Sequence, residues 1–314
     1  MKIAYHASHE QFRPSHLLQL VKLAEASGFD AIHSSDHFHP WSKRQGQSGF
    51  SFAWIAAAMQ ITRLPYSMVC APGQRYHPAI AAQAIATLAE MYPGRIDVEL
   101  GSGEALNESI TGLPWPSHQV RNERLLECAG MIRKLLIGQE VSFEGHIRIR
   151  EARLYTLPET APRLLCAAIS TETSAWAGSW ADGLLTTAGS KDDTLEKKNA
   201  FEKSGGAGKP FWVQLSFSYH PDYQVALDGA WEQWRSNLLG KDELAELYKP
   251  EQFDEATEKM TKEEVADKMH ILTSMDHLDA LLDLYRGCGV DRISLHNVNT
   301  HQDLFIRDFG RRNK

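Results

Sequence analysis

The sequence predicts an α/β protein built as a single closed (β/α)8 barrel, the TIM-barrel architecture, over residues 1–314. Three observations carry that reading. Eight short apolar runs recur along the chain, most of them are separated by stretches with apolar residues at helical spacing, and 314 residues accommodate eight such units with room for insertions. Alternation of this kind implies parallel strands covered by helices, with an open doubly wound sheet as the alternative arrangement.

The strands are expected at KIAYH (2–6), AIHSS (31–35), YSMVCA (66–71), IDVELG (96–101), RLLCAA (163–168), GLLTTA (183–188), FWVQLSF (211–217) and RISLHNV (292–298). Helices follow at PSHLLQLVKLAEASGF (14–29), PAIAAQAIATLAEMY (78–92) and ERLLECAGMIRKLLIG (123–138). Two segments break the rhythm and are read as insertions. VSFEGHIRIREARLY (141–155) alternates like an antiparallel hairpin, and the charged, largely helical 222–282 is too long for one crossover.

Composition narrows the function. A net charge of -7 and no Lys/Arg block longer than two, even in the tail GRRNK, offer no footprint for nucleic acid or an anionic membrane, so the expected partner is a small molecule. The start MKIAYHASHE carries no apolar leader and no long apolar span follows, which predicts a cytoplasmic location. Four widely spaced cysteines without a CxxC pair read as reduced core thiols.

In a (β/α)8 barrel the site is assembled at the carboxyl ends of the strands. Those ends carry His6, Ser35-Asp36-His37, Cys70-Ala71-Pro72, Gly101-Ser102-Gly103-Glu104, Ile169-Ser170-Thr171, Thr187-Ala188-Gly189, Tyr219-His220 and His296-Asn297. Most are polar and uncharged. The pair His37 and His39 has the spacing of a barrel hydrolase metal site, but later strand ends supply no further histidines with an aspartate, so no metal is expected. GSGEALNE (101–108) lacks the third glycine of a dinucleotide loop because Leu106 stands there; what survives is a tight turn carrying Glu104 and Asn107. AISTETSAWAG (168–178) clusters Ser170, Thr171 and Thr173 at a helix start, where a simple hydroxyl N-cap and a phosphate site are both open readings.

At SDHFHPW, MVCAPGQRYHPA and GSGEALNE the sequence resembles the luciferase-like superfamily of flavin and deazaflavin oxidoreductases, near the branch of F420-dependent glucose-6-phosphate dehydrogenases. The likeness runs from Tyr5 to His296 and is strongest in the first 110 residues. It implies a homodimeric barrel with a tricyclic ring at the carboxyl ends of its strands. Carried over, Asp36 would touch the cofactor, His37 would exchange a proton with the substrate, Trp41 would wall the substrate, and Glu104 would be a second proton carrier. Met68-Val69, joined in relatives by a non-prolyl cis bond, would back the ring with Ala71 beside it. Ser102 and Asn107 would contact the cofactor, while Ile169, Ser170 and Thr173 would line its phosphate and Thr187 and Lys268 would face the substrate.

The chain departs from that branch in two ways. The positions matching its sugar-phosphate clamp are Ser190 (with Lys191 adjacent), a point near Glu243, and Lys268, too few charges to hold a dianion. Ile169-Ser170 replaces a glycine pair, and HASHEQF, HFHPW and CAPGQRYHPAI resemble a sub-branch thought to use FMN. FMN is therefore the expected cofactor and coenzyme F420 the alternative; with FMN, reduced flavin could also meet oxygen in a monooxygenase-like reaction. A flavin-binding barrel without turnover is the competing reading.

Overall fold

The computed structural model describes residues 1–312, and the last two residues of the GRRNK tail lie outside the described residues. Its strands are β1 (Lys2–Ala7), β2 (Ala31–Ser34), β3 (Tyr66–Cys70), β4 (Ile96–Leu100), β5 (Val141–Glu144), β6 (Arg148–Ala152), β7 (Leu164–Ala167), β8 (Leu184–Thr187), β9 (Phe211–Tyr219), β10 (His270–Leu272) and β11 (Arg292–Asn297). Eight of them, β1, β2, β3, β4, β7, β8, β9 and β11, pair in parallel in that order, and β11 returns to β1. The ring is closed, and each of its staves coincides with one of the runs read from sequence.

The helix Pro14–Ala26 shows how the outer layer is built. Leu17, Leu20, Val21 and Ala24 are its buried residues, at the spacing that puts one face of a helix on a sheet. Strand residues of opposite parity meet that layer: Tyr5 packs against Phe29 and its hydroxyl donates to Gln302. The four cysteines are free and buried, and burial pushes Cys128 and Cys166 up to about 12.

The first insertion is the hairpin of β5 and β6, antiparallel as its alternation predicts. The second is narrower than 222–282. The helix Met275–Gly287 is the ordinary crossover into β11, and β10 adds a ninth parallel strand through His270↔Phe217 and Leu272↔Tyr219. Between β9 and β10 stand the helices Tyr223–Trp234, Lys241–Glu246, Pro250–Ala256 and Lys262–Lys268.

Residues of the other parity fill the barrel. On one side Leu165, Leu185 and Trp212 form an apolar cluster with Val69 against it. On the other, His6, His33, Ser67, Glu99, Arg292, Ser294 and His296 are all buried, an unusually polar filling for this architecture. Arg292 anchors it: the guanidinium lies 3.3 Å from the centre of the Trp212 ring, reaches Ser67, and donates to Glu99 at 3.1 Å.

Candidate active site

The loop after β2 carries His37 over the barrel mouth, and Asn107, in the short helix Ala105–Glu108 after β4, fixes its ring. Asn107 Oδ1 accepts from the backbone N–H of Phe38 at 2.9 Å and of His39 at 3.4 Å, which sets the amide so that its Nδ2 is the donor. That Nδ2 reaches His37 Nδ1 at 3.0 Å and Glu104 Oε2 at 3.3 Å. With Nδ1 accepting, the neutral imidazole carries its proton on Nε2. Two carboxylates flank that nitrogen, Glu10 Oε1 at 3.4 Å and Glu104 Oε2 at 4.0 Å.

Glu10 stands in the loop after β1. Its Oε2 accepts from Ser8 at 2.7 Å and from Ser35 at 2.9 Å, while its Oε1 is buried with no hydrogen-bond partner. Burial alone would raise this carboxyl, but the imidazole of His37 and the Ser8 hydroxyl hold it below the ordinary value. Glu104 is moved the other way: its recessed position raises it, and His37 draws it part of the way back. Two carboxyls displaced in opposite directions around one imidazole can hold and release a proton over the same small volume. Glu10 was not singled out in the sequence. It lies four residues past the last predicted residue of β1, and only its place after a stave end could have marked it.

Trp41 closes this volume on one side. Its ring is 5.1 Å from that of His37 and packs edge-on against Phe253 at 5.4 Å, with Leu106 in the same cluster. Phe253 comes from the second insertion, which therefore builds part of the wall.

Other predicted residues fall differently. The carboxylate of Asp36 is buried and bonded to Arg75 Nη2 at 2.8 Å and the Tyr76 hydroxyl at 3.1 Å, so it turns away from His37. Arg75, also paired with Glu108 at 3.4 Å, captures Asp36, and the carboxylates beside the His37 ring are those of Glu10 and Glu104. Met68 and Val69 face opposite sides of β3, Met68 in the outer core and Val69 toward the interior. The bond between them is trans, as are all peptide bonds among the described residues, since β3 keeps an unbroken ladder to β4 through Cys70↔Leu100; the expected cis bond is absent there. His39 Nδ1 lies 2.8 Å from the carbonyl of Leu106, which it meets as a donor. Thr187 ends β8 and is exposed. Lys268 ends the helix Lys262–Lys268, exposed, with its ammonium donating to the carbonyl of Leu238 at 3.4 Å.

The remaining strand ends, after β4 and β7, are mostly small or hydroxyl-bearing. Gly103 has φ of 86°, and a side chain there would crowd Glu108 and Ala71, so the turn before Glu104 requires glycine and stays low. Ser102 and Gly101 are half-buried, and a side chain at Gly101 would meet only Ala167 at 3.9 Å. Ser170 caps the helix Thr171–Gly178, accepting from the N–H of Thr173 at 3.1 Å, and the two hydroxyl oxygens lie 2.9 Å apart. The N-cap reading of this segment is the one the geometry shows: the serine caps the helix and its hydroxyl pairs with that of Thr173. Ile169 beside them is 55% exposed.

A family model described as luciferase-like monooxygenase matches residues 1–292. The chain belongs to the luciferase-like monooxygenase family. Members of this family are oxidoreductases, and similar chains carry related names. An F420-dependent glucose-6-phosphate dehydrogenase of Mycolicibacterium fortuitum is 32% identical, covering 98% of this chain and 96% of its own. One of Gordonia bronchialis is 31% identical over 98% and 95%. Among solved structures, an F420-dependent secondary alcohol dehydrogenase in complex with an F420-acetone adduct superposes with a TM-score of 0.91 at 28% identity, over 99% of this chain and 97% of that one. The F420-dependent tetrahydromethanopterin reductase of Methanopyrus kandleri shares the fold at 19% identity and a TM-score of 0.77.

Proposed function

We propose that this protein transfers a hydride between a bound deazaflavin of the F420 type and a small uncharged alcohol or carbonyl compound. The observation that carries the reading is the convergence of Glu10 Oε1 at 3.4 Å and Glu104 Oε2 at 4.0 Å on His37 Nε2, above the carboxyl ends of the barrel strands. The names of the similar chains favour F420 over the FMN expected from sequence, and the Ser170 and Thr173 hydroxyls would serve the phosphate of either. The bound ring supplies the hydride chemistry; the protein's own groups handle protons and position.

A substrate oxygen near His37 Nε2 would receive its N–H, and the adjoining carboxyl of Glu10 or Glu104 would take or return the proton as the oxygen changes between hydroxyl and carbonyl. For His37 to hold a second proton at Nδ1, Asn107 must turn its amide. Trp41, backed by Phe253, excludes water from this side. The preference for an uncharged substrate is supported by charge: two carboxylates flank the imidazole, and Arg75 is already committed to Asp36 and Glu108. A sugar phosphate would meet like charge where it needs cations. The same reading carries a homodimer, from the family resemblance, and a cytoplasmic location, from the start of the sequence and its lack of a long apolar span; among the described residues no helix is long and apolar enough to cross a membrane.

The test is titration of the purified protein with F420 and, separately, FMN, followed by turnover with simple secondary alcohols and with glucose 6-phosphate. F420 binding with quenched fluorescence, alcohol turnover, and a loss of about 100-fold or more in His37→Ala with binding retained are the expected results. Binding of FMN alone would replace the carrier, and binding of neither would sink the reading.

A further inference from the structure

Below the site lies a second set of titratable groups that the proposed reaction does not use. His6 (β1) and His33 (β2) are register partners, and their Nδ1 atoms are 2.9 Å apart, so one nitrogen must donate and the other accept. On the far side of His33, Nε2 faces Glu99 Oε2 at 3.9 Å. Both atoms are fully buried and neither has any hydrogen-bond partner. Two orphaned polar atoms facing each other inside a barrel carry a cost unless a proton or a water joins them. Glu99 keeps its other oxygen on Arg292, and His6 stacks on His296 at 4.1 Å between centroids at the upper end of the set.

We propose that Glu99, His33 and His6 form a proton-conducting column through the barrel interior that serves a group bound in the cleft from below. The sense of each link is set by where the proton at the Glu99 end resides. If Glu99 carries a proton on Oε2, His33 Nε2 accepts it, His33 Nδ1 donates to His6 Nδ1, and His6 presents Nε2–H upward. Passing one proton along the column breaks the Glu99 O–H, forms His33 Nε2–H while Nδ1–H leaves to His6 Nδ1, and releases the proton of His6 Nε2 to the acceptor above. Each imidazole ends neutral in its other tautomer, Glu99 ends as a carboxylate paired with Arg292, and no electrons move.

The surroundings favour that starting state. Burial lifts Glu99 to about 7, with Asp97 adding to the rise and Arg292 and the Ser67 hydroxyl opposing it. Burial keeps His33 well below its ordinary value, helped by His6 and Arg292, and lowers His6 to about 4 against the pull of Glu10 and with the push of His9 and His37. His296 is likewise held neutral by burial and by His6 and His33. Near neutral pH the column therefore has neutral rings and one carboxyl able to gain or lose its proton.

The inference rests on the hydride-transfer reading only for what accepts the proton; the column itself is testable in the unliganded full-length protein. Long-range nitrogen–proton NMR of histidine-labelled protein at about pH 6 is expected to show His33 protonated at Nδ1 and His6 at Nε2. Difference infrared spectroscopy is expected to show a protonated carboxyl band that fades as pH rises through about 7 and is missing from Glu99→Gln. A proton on His33 Nε2, or a Glu99 already ionised at about pH 6, would overturn the column. Should Glu99→Gln fail to fold, the tautomer measurement on the unaltered protein decides alone. The expected tautomers in a protein that binds neither F420 nor FMN would leave the column standing and remove the hydride reading; turnover with the wrong tautomers would do the reverse.

Discussion

The residue that organises the site floor is Arg75, and it is also the one whose loss should be most costly. Its guanidinium is nearly buried between Asp36 and Glu108, with the Tyr76 ring 4.3 Å from its centre, and its own backbone N–H donates to Glu108 at 2.6 Å. Removing one member of such a set leaves buried charge uncompensated, whereas removing all of them need not. Arg75→Met is therefore expected to lower stability to urea by about 3–5 kcal/mol, and adding Asp36→Asn with Glu108→Gln should recover most of the loss. A triple variant no more stable than Arg75→Met alone would show that the guanidinium acts through packing instead. Sequence made His37, Glu104 and Asn107 legible because they sit in motifs at stave ends, and Trp41 came with them. Glu10 was hidden because a loop carboxylate without a motif looks like any other. Asp36 was legible in place but not in direction, since nothing local reveals that Arg75, 39 positions on, captures it.

At the scale of elements, the staves were readable because doubly buried parallel strands are short apolar runs, and the hairpin because its period changes to two. The second insertion was readable only as an interruption. Its charged helices hide the fact that one apolar residue, Phe253, docks on Trp41 together with Leu106, with Leu239, Leu244 and Leu247 packed against them, and that this small cluster is separate from the main core. Separation has a consequence. A large-to-small change in a buried phenylalanine costs about 3–5 kcal/mol, but a cluster that can open alone need not transmit that cost to the barrel. Phe253→Ala should leave the global urea midpoint nearly unchanged while amide exchange across 241–256 accelerates by about 100-fold or more. It should also raise KM through a loosened Trp41. A matching fall in the global midpoint, without faster local exchange, would mean that the insertion unfolds with the barrel as one unit.

For the whole molecule, the polar filling of the barrel sets how stability depends on pH. Burial lowers His6 and His9 to about 4 and holds His33 and His296 well below their ordinary values. Between about pH 6.5 and about pH 4 the unfolded chain binds protons at these imidazoles that the folded chain refuses, so stability present above that window is lost on acidification. His6 and His9 each contribute on the order of 3 kcal/mol to the loss. Glu10, held low by His37, adds to it. Glu99, lifted to about 7, works in the opposite direction: the folded chain keeps its proton where the unfolded chain has lost it, so its contribution is full below the ordinary carboxyl range and gone once pH passes about 7. Glu104 and Glu108 are raised by burial and act in the same sense as Glu99. Four imidazoles and Glu10 outweigh these three carboxyls, two of which retain partial compensation from His37 or Arg75. Urea midpoints should therefore fall steeply from about pH 7 to about pH 5 and change little from about pH 7 to about pH 9. His9→Phe isolates one contributor: both of its ring nitrogens are buried without partners beside Trp54, so an apolar ring there should flatten the acid side while leaving the neutral side intact or improved. An acid slope in His9→Phe as steep as in the parent chain would mean that His9 gains its proton without opening the fold, and that the loss must come from His6, His33 and His296 within the barrel.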